Sequence, residues 1–191
     1  MDDAAQLSDL PGHSATVRIT HWITALSVLV LLLSGIAILL AHPRLYWGET
    51  GAVGGPSLID LPLPFVLDTP IRGPGRYLHF TFAWVCVLTG LFYVLHQVLR
   101  RDFRRPHYNR VQRIVYAGVV FVLFPVMIWT GLAMSPAVTS VFPWLATLPG
   151  GQQSARTIHF FATVAIVCFV LVHIVMVLRA SRTMTMIKGR L

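Results

Sequence analysis

Four long apolar runs constrain this chain more than any other feature of its sequence. They cover about residues 19–41, 77–99, 114–134 and 157–179, and no Asp, Glu, Lys or Arg lies in the central part of any run. A helix needs roughly 20 residues to cross a hydrocarbon core of about 30 Å. We therefore predict an all-α integral membrane protein, a four-helix bundle whose spans are numbered 1 to 4 in chain order.

Composition supports the membrane class. The chain is 55% hydrophobic and 12% charged, whereas a soluble domain carries a charged fraction of about 25%. The two cysteines both lie inside apolar runs, so neither a disulfide framework nor a zinc site is expected. Internal repeats and low-complexity tracts are absent from the sequence, and we predict a single domain over residues 1–191.

The cationic side chains orient the predicted spans. Residues 100–113, between spans 2 and 3, hold six arginines. Arg18 before span 1 and four cations from Arg179 onward would lie on the same side of the membrane, which gives eleven cations there. The other two connections together hold four. Cytoplasmic loops are enriched in Lys and Arg, so both termini should be cytoplasmic. The net charge of +8 then reflects topology. Nucleic acid is not expected as a partner, because the Arg-rich loop is short and lies against the membrane.

The connection between spans 1 and 2, residues 42–76, is long and rich in Pro and Gly. This composition favours turns and extended backbone over a folded domain. Tyr46 and Trp47 suit the aromatic belt at the membrane surface. With the Leu- and Pro-rich segment 58–67, they could instead anchor a protein partner.

Histidine is concentrated in the predicted spans, which hold five of the eight: His21, His79, His96, His159 and His173. A lone imidazole there is most often hydrogen-bonded to a neighbouring helix, because leaving it unsatisfied costs on the order of a few kcal/mol. Ionisable groups inside a membrane usually mark function. Five in four helices therefore indicate a functional site.

The spacing of the histidines suggests two pairs. His159 and His173 are fourteen residues apart, which puts them within about 40° of one helix face and about 21 Å apart along the axis. With cytoplasmic termini, His21 lies level with His173 and His79 lies level with His159. We therefore predict that His21 pairs with His173, and His79 with His159, as metal ligands. Paired imidazoles at two depths suit two low-spin b-type haems, and span 3, which has no histidine, is expected to serve in packing.

Arginine and glycine positions fit the same arrangement. An arginine precedes three of the predicted ligands by three residues, and these are Arg18, Arg76 and Arg156. They would lie one turn nearer water on the ligand face, where Arg can pair with haem propionates or simply flank the span. Gly35 and Gly90 lie near the ligand faces of spans 1 and 2 and could leave room for a flat macrocycle or serve helix packing.

His96 lies near the cytoplasmic end of span 2, about 100° from the face of His79. It could be a quinone hydrogen-bond partner, a propionate neighbour or a replacement ligand, and an ordinary polar residue near the interface is an equal alternative. The adjoining Arg-rich end of span 2 lies close to a proton supply. We predict quinone chemistry near the cytoplasmic haem.

The chain resembles the four-helix di-haem cytochrome b superfamily over essentially its whole length. The resemblance rests on RITHW (18–22), GRYLHFTFAWVCVLTGLFYVLH (75–96) and RTIHFFATVAIVCFVLVHI (156–174). This group includes bacterial cytochrome b561 proteins and membrane subunits of nickel-iron hydrogenase, formate dehydrogenase and thiosulfate reductase. The resemblance implies the same four ligands, two haem b groups and a bacterial inner-membrane location. HPRLYWGETG (42–51) is similar to the thiosulfate-reductase-type branch, whose members often accompany periplasmic molybdenum enzymes.

Two functions follow from these features. In the first, the protein is an electron-transfer subunit between the quinone pool and a periplasmic redox partner, a molybdenum oxidoreductase. In the second, it is a self-sufficient oxidoreductase of the cytochrome b561 kind that oxidises superoxide and reduces quinone. A transporter or an assembly scaffold with structural histidines is the non-redox alternative. Lipid is a partner in every case.

Overall fold

The computed structural model of the protein is mostly helical and describes residues 14–49, 56–62, 72–100 and 110–179. Among these residues, four helices are long and apolar enough to cross a membrane. They are α1 (Ala15–Ala41), α2 (Arg72–Arg100), α3 (Arg110–Ala133) and α6 (Gln152–Arg179). The short helices α4 (Pro136–Thr139) and α5 (Trp144–Thr147) lie between α3 and α6 in sequence. The predicted helical class and the four spans are confirmed, and the cytoplasmic orientation of the termini stays a prediction.

The long helices begin about one turn before the apolar runs predicted for them. The helix α1 begins at Ala15, where the side-chain oxygen of Ser14 accepts a hydrogen bond from the backbone N–H of Val17 at 3.4 Å. Such a cap satisfies one of the first four N–H groups of a helix, which have no partner inside it. Hydropathy marks only the part of a helix that suits hydrocarbon, whereas capping decides where the backbone becomes helical. The difference at the helix starts follows from this.

The helix α3 contains a π-helical segment, Val119–Leu123, before its last part, Phe124–Ala133. Pro125 lies just after this segment and has no N–H to donate to the preceding turn. A proline ring inside a helix also crowds the carbonyl four residues earlier, here that of Phe121. A wider turn relieves that crowding, so Pro125 accounts for the position of the π-helical segment.

Large apolar side chains cover the outside of the described helices, and small side chains are buried. The side chains of Phe121, Leu33 and Trp84 are 77%, 60% and 59% exposed, respectively. The fully buried side chains in the long helices are mostly Ala, Ser and Thr, among them Ser27, Thr130, Ala155 and Thr157. Small buried residues let helix backbones approach closely where lipid, and not water, covers the outer surface. This inverted pattern is typical of a protein that lies in a membrane.

The described residues form two compact units. The first unit contains residues 14–35, 73–100 and 170–179. The second unit contains residues 36–49, 56–62 and 110–169, with residue 72. The single domain over residues 1–191 stays a prediction.

The second unit includes a small non-helical segment on the connection after α1. There β1 (Arg44–Leu45) pairs antiparallel with β2 (Ile59–Asp60), and the side chain of Leu45 is 1% exposed. The prediction of turns and extended backbone agrees with this part of the connection. Residues 50–55 and 63–71, which include most of the Leu- and Pro-rich segment, lie outside the described residues. So do Arg101, Arg104, Arg105 and the cations after Arg179.

Candidate haem-binding site

In the first unit, the structure brings His21 of α1 and His173 of α6 together. The ring centroids are 6.3 Å apart and the ring planes are inclined by 57°. Both side chains are half-buried. Trp22 lies beside His21 in an edge-on contact, with the ring centroids 5.6 Å apart, and helps to fix the imidazole against α1.

The separation of these two rings fits a shared metal ion. Two metal–nitrogen bonds of about 2 Å, with a ring radius added at each end, put two centroids about 6 Å apart. Among the described residues, no group of three or more His, Cys, Asp or Glu side chains could hold a metal ion. Two imidazoles would be enough for a haem iron, because the macrocycle provides the other four nitrogens. The role of His21 and His173 as metal ligands stays a prediction.

The first unit also holds His79, which lies against α1. Its Nδ1 is 3.0 Å from the hydroxyl oxygen of Ser34, and that oxygen is 2.7 Å from the carbonyl oxygen of Val30. The next residue, Gly35, leaves room for this ring: a Cβ placed on Gly35 would lie 3.5 Å from Cε1 of His79. Ser34 therefore lies against Nδ1, and Gly35 lies near Cε1, the ring atom between Nδ1 and Nε2.

The second unit repeats this arrangement around His159. Its Nδ1 is 2.8 Å from the hydroxyl oxygen of Thr130 on α3, and that oxygen is 2.7 Å from the carbonyl oxygen of Val126. A Cβ placed on Gly131, the next residue, would lie 3.7 Å from Cε1 of His159. Thr130 and Gly131 are therefore placed around His159 as Ser34 and Gly35 are placed around His79.

The three arginines that precede predicted ligands differ in their surroundings. Arg156 donates hydrogen bonds to the backbone carbonyls of Arg44, at 3.1 Å, and His42. Its guanidinium group thereby holds the connection after α1 in the second unit. Arg18 is half-buried and Arg76 is exposed. Pairing of the three arginines with propionates stays a prediction, and Arg156 would have to serve the connection and the propionate together.

Gly90 and His96 of α2 have surroundings that differ from those of His79 and His159. No described atom lies within 4 Å of a Cβ placed on Gly90, so this glycine borders open space. The Nδ1 atom of His96 is buried, and no described residue offers it a hydrogen bond. The ring centroid of Phe92 lies 6.1 Å from that of His96.

Sequence reasoning missed Ser34, Thr130 and Gly131, and it assigned span 3 to packing alone. The signal was a hydroxyl residue followed by glycine within an apolar helix, which occurs as SGIA (34–37), TGLF (89–92) and TGLA (130–133). At the first and third of these the glycine lies near a histidine, whereas no described atom lies within 4 Å of a Cβ on Gly90. The pairing of His79 with His159 stays a prediction, since the two residues belong to different units.

The sequence model of the family described as prokaryotic cytochrome b561 matches residues 12–189 of this chain. The chain is also 28% identical, over 205 residues, to a protein of Azospira oryzae named as a candidate protein-methionine-sulfoxide reductase subunit, YedZ1. That alignment covers 93% of this chain and 96% of the relative. No solved structure was found to match the chain. The family match, the four spans and the imidazole geometry lead to one identification: the chain belongs to the prokaryotic cytochrome b561 family, multi-pass bacterial membrane proteins that bind haem b and transfer electrons.

Proposed function

We propose that the protein is a di-haem b subunit that carries electrons between the quinone pool and a periplasmic redox partner. The observation that carries the proposal is the pair of imidazoles of His21 and His173, with ring centroids 6.3 Å apart. In this role they ligate the haem nearer the cytoplasm. The haem, once bound, supplies reversible one-electron chemistry, and two imidazole ligands favour electron transfer over ligand exchange at the iron.

The second haem is assigned to His79 and His159, near the periplasmic end of the spans. This pairing rests on the level and the face that the sequence gives the two residues, and each imidazole has its Nδ1 next to a hydroxyl. That contact leaves Nε2 available for iron, as in most metal-bound histidines whose other nitrogen is hydrogen-bonded. Arg18, Arg76 and Arg156 are proposed to neutralise propionates, because arginine pairs well with carboxylates.

Quinone is proposed to react beside His96. Its buried Nδ1 atom has no partner among the described residues, and buried polar atoms in proteins are nearly always hydrogen-bonded. A quinone carbonyl or a quinol hydroxyl would satisfy that atom, and the ring of Phe92, with its centroid 6.1 Å away, offers an aromatic surface. The site would lie near the cytoplasmic haem.

The partner is proposed to be a periplasmic molybdenum oxidoreductase. The relative from Azospira oryzae is named as a subunit of a methionine-sulfoxide reductase, which supports assembly with a reductase and electron flow outward from quinol. The connection after α1 offers exposed apolar side chains, since Trp47 is 59% and Leu58 is 57% exposed. Aromatic side chains of this kind anchor interfaces, although they would also suit the aromatic belt of the membrane.

Haem content of the purified protein tests the electron-transfer proposal. A reduced-minus-oxidised spectrum and a haem assay should give two b haems per polypeptide. His21→Ala and His173→Ala should each lose the same haem, because each removes one of the two imidazoles that would hold it. His96→Ala is the matched control and should keep both haems. If His21→Ala and His173→Ala both kept full haem content, the proposed cytoplasmic ligand pair would be wrong.

Co-purification from mild detergent tests the partner. Replacing residues 52–68 with a Gly/Ser bridge should slow electron transfer to the co-purified reductase, while reduction of the haems by dithionite stays unchanged. Equal rates of transfer to the reductase with and without the bridge would remove this connection from docking. Quinone reduction driven by superoxide in the isolated protein, with no co-purifying partner, would favour the self-sufficient oxidoreductase instead.

A further inference from the structure

Two hydroxyl residues lie within hydrogen-bond distance of the Nδ1 atoms of two predicted haem ligands. We propose that Ser34 and Thr130 are positioning residues that accept a hydrogen bond from Nδ1–H of His79 and His159, respectively, and so fix the tautomer that offers Nε2 to iron. The inference rests on the proposed function, because it takes His79 and His159 as ligands. It assigns a role to α3, the long helix without a histidine.

The contacts themselves are short and sheltered. Ser34 Oγ lies 3.0 Å from Nδ1 of His79, and Thr130 Oγ1 lies 2.8 Å from Nδ1 of His159. Ser34 is 6% exposed and Thr130 is 0% exposed. A hydrogen bond in such an apolar setting competes little with water, so it can hold the ring in one orientation.

The position of each hydroxyl proton decides the direction of these hydrogen bonds. Ser34 Oγ is 2.7 Å from the carbonyl oxygen of Val30, and Thr130 Oγ1 is 2.7 Å from that of Val126. A carbonyl only accepts, so each hydroxyl donates its single proton to the backbone. The hydroxyl oxygen is then left as an acceptor, and the ring must supply Nδ1–H.

A second backbone carbonyl supports the same tautomer at His79. The carbonyl oxygen of Leu31 is 3.2 Å from Ser34 Oγ, so the Ser34 hydroxyl has two backbone acceptors for its single proton. With that proton directed to the backbone, the imidazole supplies the proton on the Nδ1 side, and Nε2 keeps its lone pair for a metal.

The same hydroxyl–imidazole contact occurs on two helices, α1 and α3, and it differs from the usual hydrogen bond of a hydroxyl residue to its own helix. Hydroxyl residues in apolar helices commonly donate to the carbonyl four residues earlier, and Ser27 of α1 does this at 2.8 Å to Ile23. Ser27 is 1% exposed, yet its hydrogen bond goes to the backbone alone. Ser34 and Thr130 add an imidazole to the same backbone bond. Each is followed by a glycine at which an added Cβ would lie within 4 Å of Cε1 of that ring. Ser27 is therefore a matched control.

The expected consequence is a change in the properties of one haem. A hydrogen bond from the outer nitrogen of a ligand histidine raises its basicity, and losing such a partner commonly weakens metal affinity by about 10- to 100-fold. Without the hydroxyl, the imidazole is a weaker donor to ferric iron. The midpoint potential of that haem should therefore rise, and the haem should dissociate faster.

The experiment uses the full chain purified in detergent, with variants Ser34→Ala, Thr130→Val and Ser27→Ala. Haem per polypeptide, a redox titration of the visible absorption bands and the ferric electron paramagnetic resonance spectrum are measured for each. Ser34→Ala and Thr130→Val should shift the potential of the same haem upward and alter its ferric spectrum, whereas Ser27→Ala should match the parent protein. Ser34→Thr and Thr130→Ser, which keep a hydroxyl, should restore the parent values.

Two outcomes overturn the inference, and they differ in what they say of the proposed function. If His79→Ala and His159→Ala lose haem while Ser34→Ala and Thr130→Val match Ser27→Ala, the hydroxyls do not position the ligands and the proposed function stands. If the two histidine variants keep full haem content, both this inference and the proposed assignment of the second haem to His79 and His159 are wrong. Thr130→Val preserves side-chain shape, so it decides the question even if Ser34→Ala fails to fold.

Discussion

Single histidines in these helices differ in what their Nδ1 atoms contact. Those of His79 and His159 lie against hydroxyl oxygens, at 3.0 and 2.8 Å. The Nδ1 of His96 is buried without a partner among the described residues. A metal-bound histidine almost always has its other nitrogen hydrogen-bonded by the protein. His96 therefore lacks the support that a haem ligand needs, and its imidazole suits a ligand that brings its own hydrogen-bonding group.

Replacing His96 tests this distinction. His96→Ala should slow reoxidation of the reduced haems by a water-soluble quinone, on the order of 10-fold or more, because general acid–base help and a positioning hydrogen bond are lost together. Reoxidation by ferricyanide, measured on the same sample, serves as the control and should not change. The haem spectrum should also stay that of the parent protein. An unchanged rate with quinone would mean that His96 is an ordinary interfacial residue.

At the scale of elements, the connection after α1 caps the first turn of α6 in the second unit. The carbonyl oxygen of Gly48 accepts hydrogen bonds from the backbone N–H groups of Gln153 and Ser154, at 3.0 and 3.3 Å. The hydroxyl of Ser154 in turn accepts from the N–H of Gly48 at 2.8 Å, and Thr157 donates to the carbonyl of Tyr46 at 2.7 Å. These bonds satisfy groups that a helix start leaves unpaired and fix the turn that leads to His159.

Two glycines at this cap are not equivalent. Gly48 and Gly151 have φ values of 106° and 117°, where a side chain costs about 1–2 kcal/mol. A Cβ on Gly151 would also overlap the backbone of Gly48, whereas no described atom lies within 4 Å of a Cβ on Gly48. We expect Gly151→Ala to lower the melting temperature in detergent more than Gly48→Ala does.

Helical Gly118 provides the reference for this pair. No described atom lies within 4 Å of a Cβ placed there, and alanine is favoured over glycine inside a helix by roughly 0.5–1 kcal/mol. Gly118→Ala should therefore leave the melting temperature unchanged or raise it. If Gly151→Ala and Gly48→Ala lowered the melting temperature equally, the positive φ alone would account for the effect at position 151. The overlap with the backbone of Gly48 would then play no part.

At the scale of the whole molecule, the distribution of charge predicts how the chain crosses the membrane. Eleven of the fifteen cations lie at the termini or between spans 2 and 3, and four lie in the other connections. Because the positive-inside bias counts Lys and Arg in short loops near the spans, this difference should be decisive. The two termini and the Arg-rich loop should face the cytoplasm.

Reporter fusions test that orientation directly. Green fluorescent protein fused after Leu191 should fluoresce, and alkaline phosphatase fused there should be inactive, because the phosphatase folds only outside the cytoplasm. Phosphatase inserted after Gly150, between α5 and α6, should be active. The opposite pattern at both positions would invert the topology and would exchange the depths assigned to the two haem pairs.

The sequence by itself determined the class of the protein and its four spans. Apolar runs long enough to cross a bilayer predict helices because no other structure, apart from a closed barrel, satisfies the backbone in lipid. Helical periodicity is equally local, so it put His159 and His173 on one face. The topology predicted from the charges put His21 level with His173, and the structure places those two rings 6.3 Å apart between centroids.

Only the tertiary structure decided which side chain lies against which imidazole. The contact between Ser34 and His79 joins residues 45 positions apart, and that between Thr130 and His159 joins residues 29 apart. Such contacts depend on how far each helix is rotated and shifted against its neighbour, and side-chain packing sets that rotation. Periodicity fixes positions along one helix but not between two. For that reason the sequence predicted α3 as a packing helix, and the folded protein gives it a hydroxyl group at 2.8 Å from a predicted ligand.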